Sequence, residues 1–143
     1  MTVLIAHLPS PEGNAALELG MAEARLRGTK ALVVTSPRSG GREPWNHLTK
    51  AQRTRIDELG AAHGVEIDLR TPEHGPDHHL TDVLNEIADA EHAQVLVIGM
   101  RQRSPLGKFV LGSMAEHILM KSHVPVLTVT AEYDGPEYDG PES

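Results

Sequence analysis

The sequence predicts one α/β domain: a parallel sheet with helices on both faces. Three observations predict it. Short apolar runs alternate with amphipathic segments along nearly the whole chain, in the order β-α-β-α-β-α-β-α-β. The length of 143 residues suits a single domain and suffices to bury a core without staples. Hydrophobic residues at 39% and charged residues at 23% are the proportions of an ordinary globular chain.

Each element has a local reason. Val3-Leu4-Ile5-Ala6-His7 is a short apolar run suited to a buried strand. Ser10 offers an N-cap and Pro11 fits the first helical position. Ala16, Leu17, Met21, Ala24 and Leu26 then recur at roughly helical spacing, and Gly28 closes that helix. Residues 31–35 read as a second buried strand, β-branched at Val33 and Val34. Residues 37–45 form a loop that holds the single tryptophan, Trp45, which either covers a ligand or packs the loop.

A second helix is expected over about residues 48–63, with Leu48, Ala51, Ile56, Leu59 and Ala62 as its apolar stripe and Gly64 as its stop. Residues 65–70 alternate as a half-exposed strand does. Gly75 and Pro76 break the chain, and Leu80, Val83, Leu84 and Ile87 mark a third helix. Residues 94–98 are the most apolar strand, followed by a loop over 99–111. Ser113 opens a fourth helix ending near Ser122, and residues 125–129 are the last strand. The domain is therefore expected over 1–130. Residues 131–143 repeat Glu-Tyr-Asp-Gly-Pro and read as a disordered acidic tail.

Composition excludes several functions. A formal net charge of −7 argues against general nucleic-acid binding, because the phosphate backbone would repel the chain. The chain has no cysteine, so disulfides and thiolate metal sites are out and a reducing cytoplasm is the expected location. No apolar run is long enough to span a membrane, and residues 1–7 read as a strand, not a leader.

The segment with chemical content joins the fourth strand to the fourth helix. Gly99 stands where the strand is expected to give out, and Gly112-Ser113 where the helix begins. Ser113 and Glu116 have capping-box spacing. A helix amino end presents free N–H groups and partial positive charge, a ready anion site. Arg101, Arg103 and Lys108 add three cations to the same loop. These features point to phosphate; the bland alternative is a plain Ser113 cap beside solvated cations. It is not a Walker loop, because Phe109 follows Lys108 where Ser or Thr is required.

Glu73, His74, Asp77, His78 and His79 are metal-ligand types in one loop, though neighbouring histidines need not converge and Asp77 can cap the third helix. His7 ends the first strand, where a base is conceivable, but no paired nucleophile is visible. His117 and His123 default to surface or helix-end roles.

The loop has a family likeness. Gly99, two residues, Gln102, nine residues and Gly112-Ser113 resemble the universal stress protein pattern of Gly, two residues, Gly, nine residues and Gly-Ser. Gly112-Ser-Met-Ala-Glu-His-Ile-Leu119, Val124-Pro-Val-Leu-Thr-Val129, Val3-Leu-Ile-Ala6 and Ser10-Pro-Glu-Gly-Asn-Ala-Ala-Leu-Glu18 are similar to the family as well. The likeness covers roughly residues 3–130.

This resemblance implies a five-stranded sheet ordered 3-2-1-4-5, of the adenine nucleotide alpha-hydrolase-like type, and homodimers joined through the last strand. It implies ATP or AMP, with magnesium as a candidate companion, lying across the ends of strands one and four. The positions it carries over are Gly99, Gly112, Ser113 and the backbone N–H of Met114, and Ala6, His7, Leu8, Val34, Arg101, Gln102 and Arg103 complete the candidate nucleotide site. Two of these depart from the family: Gln102 replaces the middle glycine, and Leu8 stands where an aspartate is usual. Arg101, Arg103, Ser104 and Lys108 could supply phosphate donors by another route. The expected role is nucleotide binding in stress response or regulation, with at most slow ATP hydrolysis. The alternative is a dimeric stress or interaction protein whose site is closed.

Overall fold

The structure, a computed structural model, describes residues 1–7, 11–35, 50–71, 80–101 and 113–131; at Pro11, Glu12, Leu80, Arg101, Ser113, Met114 and Ala131 it describes the backbone alone. The elements are β1 (Thr2–His7), α1 (Pro11–Arg27), β2 (Lys30–Thr35), α2 (Lys50–His63), β3 (Ile67–Arg70), α3 (Leu80–Glu91), β4 (Ala93–Arg101), α4 (Ser113–Lys121) and β5 (Val126–Ala131). All pairings are parallel and the strand order is β3-β2-β1-β4-β5, as expected.

Alternating side chains divide the sheet into two cores. Val3, Ile5, Ala31, Val33, Val95 and Val97 face α1 and α2, where Ala16, Leu17, Met21, Ala24 and Ile56 meet them. Leu4, Leu32, Val34, Leu96 and Ile98 face the other way, against Leu84 and Ala88 of α3 and Ile118 of α4. Both faces of the central strands are buried, which is why they read as continuous apolar runs.

The helix ends follow the glycines. Gly28 and Gly64 both take φ of +66°, the left-handed region open to a residue without Cβ. Each closes its helix with the same pair of backbone bonds: Thr29 to the Ala24 carbonyl and Gly28 to that of Arg25, then Val65 to Gly60 and Gly64 to Ala61.

The structure corrects several sequence expectations. Leu26 is 80% exposed and belongs to no core. In α2, Ala51 and Ala62 are exposed, and Ile56 and Gly60 are the buried positions. Residues 65 and 66 are not in β3, because Val65 completes the α2 cap. Pro125 precedes β5 and gives its carbonyl to the Leu96 N–H. β4 does not end before Gly99: Gly99, Met100 and Arg101 pair with Val129, Thr130 and Ala131. The strand continues because β5 continues beside it and offers partners for its backbone groups.

The two sheet edges differ. On β3, Asp68 and Arg70 join Lys30 and Glu91 in a mesh of ion pairs, Arg70 lying 2.8 Å from Glu91 and 3.2 Å from Asp68. Val126-Leu-Thr-Val-Thr-Ala131 of β5 carries no charge at all.

Candidate functional site

In an open parallel sheet a crevice forms where neighbouring strands send their connections to opposite faces. Here that point lies between β1 and β4, whose following helices, α1 and α4, pack on opposite faces. The pairing of these strands runs only to Ile5–Val97. Beyond it β1 stays with β2, through Ala6–Val34 and His7–Thr35, while β4 stays with β5 as far as Arg101–Ala131. The carboxyl ends of β1 and β4 are therefore each held by an outer neighbour and not by one another.

The expected site residues fall around this gap in unequal ways. Ala6 and His7 close β1, and Gly99 and Arg101 lie on the end of β4 that pairs with β5 and not with β1. Ser113 and Met114 form the first turn of α4. The first N–H groups of a helix lack intrahelical partners and give that end a partial positive charge. Val34 is a core side chain packed against the α3–α4 layer, so it contributes no side chain to the rim. Leu8, Gln102, Arg103, Ser104, Lys108 and Gly112 lie outside the described residues, as do Trp45, the 73–79 histidine loop and the 132–143 repeats.

His7 is the distinctive group at this pole. It is 2% exposed, and its Nδ1 has no hydrogen-bond partner among the described residues. Burial first, and then the positive charge of nearby Arg55, push the imidazole down from its ordinary 6.5 to about 4. It is consequently neutral at physiological pH, with one ring nitrogen a donor and the other an acceptor. Its neighbour in the ladder, Thr35, is also buried and shares a 2.7 Å hydroxyl contact with Thr71. Arg55 pairs with Glu18 at 3.4 Å, linking α2 to α1 above the histidine.

Nothing in the local pattern singles out Thr35, Thr71 or Arg55, beyond the place of Thr35 one residue past an apolar run, level with His7. His123 is exposed just past the end of α4, as expected of a surface or helix-end group, and it and the half-buried His117 also bond to α3 residues, described below. Among the described residues no helix is long and apolar enough to cross a membrane.

An open α/β sheet with a crevice at its switch point defines a broad class of small-ligand-binding domains. Within that class the universal stress protein family model matches residues 1–130. The chain is 32% identical over 127 residues to a universal stress protein of Mycolicibacterium smegmatis, covering 89% of this chain and 95% of that one. A universal stress protein from Archaeoglobus fulgidus superposes with a TM-score of 0.74 at 30% identity, over 90% of this chain and 97% of that one. A structure of the universal stress protein from the same organism in complex with dAMP matches with a TM-score of 0.67 at 25% identity, covering 90% and 96%. The chain belongs to the universal stress protein family.

Proposed function

We propose that this chain binds an adenine nucleotide, AMP or ATP with magnesium, in the crevice between the ends of β1 and β4. In this reading the phosphate sits at the amino end of α4, and the protein acts in stress response or regulation in the cytoplasm. The observation that carries the reading is the parting of β1 and β4 beyond Ile5–Val97, beside the free N–H groups that open α4. The dAMP complex of the Archaeoglobus fulgidus relative supports the nucleotide class.

We place a homodimer contact on β5. An uncharged edge strand is a template for pairing, whereas charges such as those of β3 protect an edge. A second reading, a dimer without nucleotide, is favoured by Leu8 and Gln102 at positions where the family carries Asp and Gly.

The test is to denature freshly purified protein, identify any released nucleotide, and titrate the emptied protein with ATP–magnesium by calorimetry. Saturable binding that Gly112→Val abolishes is the expected result. No released nucleotide and no heat up to about millimolar ATP, an affinity weaker than about −4 kcal/mol, would leave the second reading standing.

A further inference from the structure

α3 and α4 run parallel on the same face of the sheet, and one side of α3 is polar at three successive turns: Thr81, Asn85 and Asp89. Each bonds to α4 or to the residues just past it. Thr81 Oγ1 lies 2.9 Å from His117 Nδ1. Asn85 Nδ2 donates to the Lys121 carbonyl at 3.0 Å, and Asn85 Oδ1 accepts from the His123 N–H at 2.9 Å. Asp89 Oδ2 lies 3.0 Å from His123 Nδ1. Thr81 and Asn85 are buried, at 2% and 8% exposure.

The middle rung does the most. The last turn of a helix leaves carbonyls without intrahelical partners. Asn85 satisfies one of them from a different helix, and with its other amide end holds the His123 N–H, the second beyond α4, the Ser122 N–H before it being taken by the Ile118 carbonyl. Apolar packing alone is non-directional and tolerates small slides of one helix along another. A hydrogen bond weakens steeply with misalignment, so a buried amide used at both ends fixes the axial position of α4. The helix has nine residues, about 13 Å at 1.5 Å each, and it carries that position from Lys121 back to Ser113.

We propose that Asn85 is the positioning residue for the phosphate-binding end of α4, acting through the helix without touching the ligand; this rests on the nucleotide reading above. Charge-assisted bonds from helix N–H groups are short and directional, and the end effect falls off within the first turn. A small axial slip therefore weakens the phosphate contacts and leaves those to the base and ribose intact.

The experiment compares AMP with adenosine. Asn85→Leu keeps the volume and removes both bonds. In calorimetric titrations of wild type and N85L, adenosine affinity stays the same, while the advantage of AMP over adenosine falls about tenfold, the weight of one charge-assisted hydrogen bond. The ratio cancels any loss of global stability, since both ligands bind the same folded state. An unchanged ratio in N85L, including equal weakening of both ligands, overturns the proposal alone. Absence of AMP binding by the wild type overturns the proposal together with the nucleotide reading. If N85L fails to fold, Asn85→Ser, which shortens the side chain away from both α4 partners, is read by the same ratio, with the same outcomes.

Discussion

The buried imidazole of His7 makes the stability of this domain depend on pH in a calculable way. In the unfolded chain it titrates near its ordinary 6.5, and in the folded protein near 4. Between those values the unfolded state binds the proton and the folded state does not. Stability from this group is therefore fully present above about pH 6.5 and is lost as pH falls toward 4. The complete effect is about 3 kcal/mol, at 1.36 kcal/mol per pH unit of separation. Between pH 7 and pH 5 it amounts to about 2 kcal/mol. At this chain length that lowers the melting midpoint by about 4–8 °C.

Other histidines and carboxylates titrate in the same range, so the assay is a difference. Urea unfolding of wild type and His7→Phe is followed at pH 7 and at pH 5. The fixed cost of the substitution cancels within each protein, and the wild type should lose about 2 kcal/mol more than the variant over the interval. Arg55→Gln, which removes the like charge beside the ring, should shrink the wild-type loss without abolishing it, because burial is the larger cause. Equal pH slopes in wild type and H7F would refute the reasoning: His7 would then be solvated or would hold a partner that stabilises its charged form.

Two further substitutions probe the packing that carries the site. A Cβ on Gly20 of α1 would fall on Cδ1 and Cγ1 of Ile5, which is fully buried in β1. Gly20→Ala gains about 1 kcal/mol in helix propensity but loses about 1–3 to overpacking. Ile5→Ala alone costs about 2–5 kcal/mol, and the double mutant should be more stable than the sum of the singles by at least about 1 kcal/mol; strict additivity in urea would exclude the contact. His92 ends α3 at φ +54° while exposed. His92→Gly should therefore raise stability by about 0.5–1 kcal/mol; a lower melting midpoint in calorimetry would show that the ring earns its strained backbone.

How much of this was legible beforehand depended on the kind of signal. Apolar runs and glycine stops report burial and φ, which are local, and so β1, β2, α1 and the Gly28 and Gly64 caps were readable. Leu26 misled because helical spacing counts an apolar residue whether or not anything lies opposite it. The extension of β4 through Arg101 depended on a partner strand some thirty residues away, which no local pattern records. The family likeness located the candidate pole, but the burial of His7 and its proximity to Arg55 are products of packing between α2 and β1. Thr81, Asn85 and Asp89 passed unread in the sequence, because an i, i+4, i+8 polar series is what a solvated helix face also carries; only the α4 partners reveal that this stripe faces another helix.

The two departures from the family pattern bear differently on the crevice and on its contents. The gap exists because β1 follows β2 while β4 follows β5, a competition settled by Ala6–Val34, His7–Thr35 and the three pairs from Gly99–Val129 to Arg101–Ala131. Leu8 and Gln102 follow the last described residues of β1 and β4 in the sequence. What they can alter is what the rim offers a ligand. Leu8 stands where the family carries a carboxylate, an acceptor for ribose or amine donors. Gln102 replaces bare backbone with an amide that can itself donate to an anion. Burial and the charge of Arg55 together hold His7 neutral at physiological pH, and the same burial keeps its ring away from anything bound at the rim.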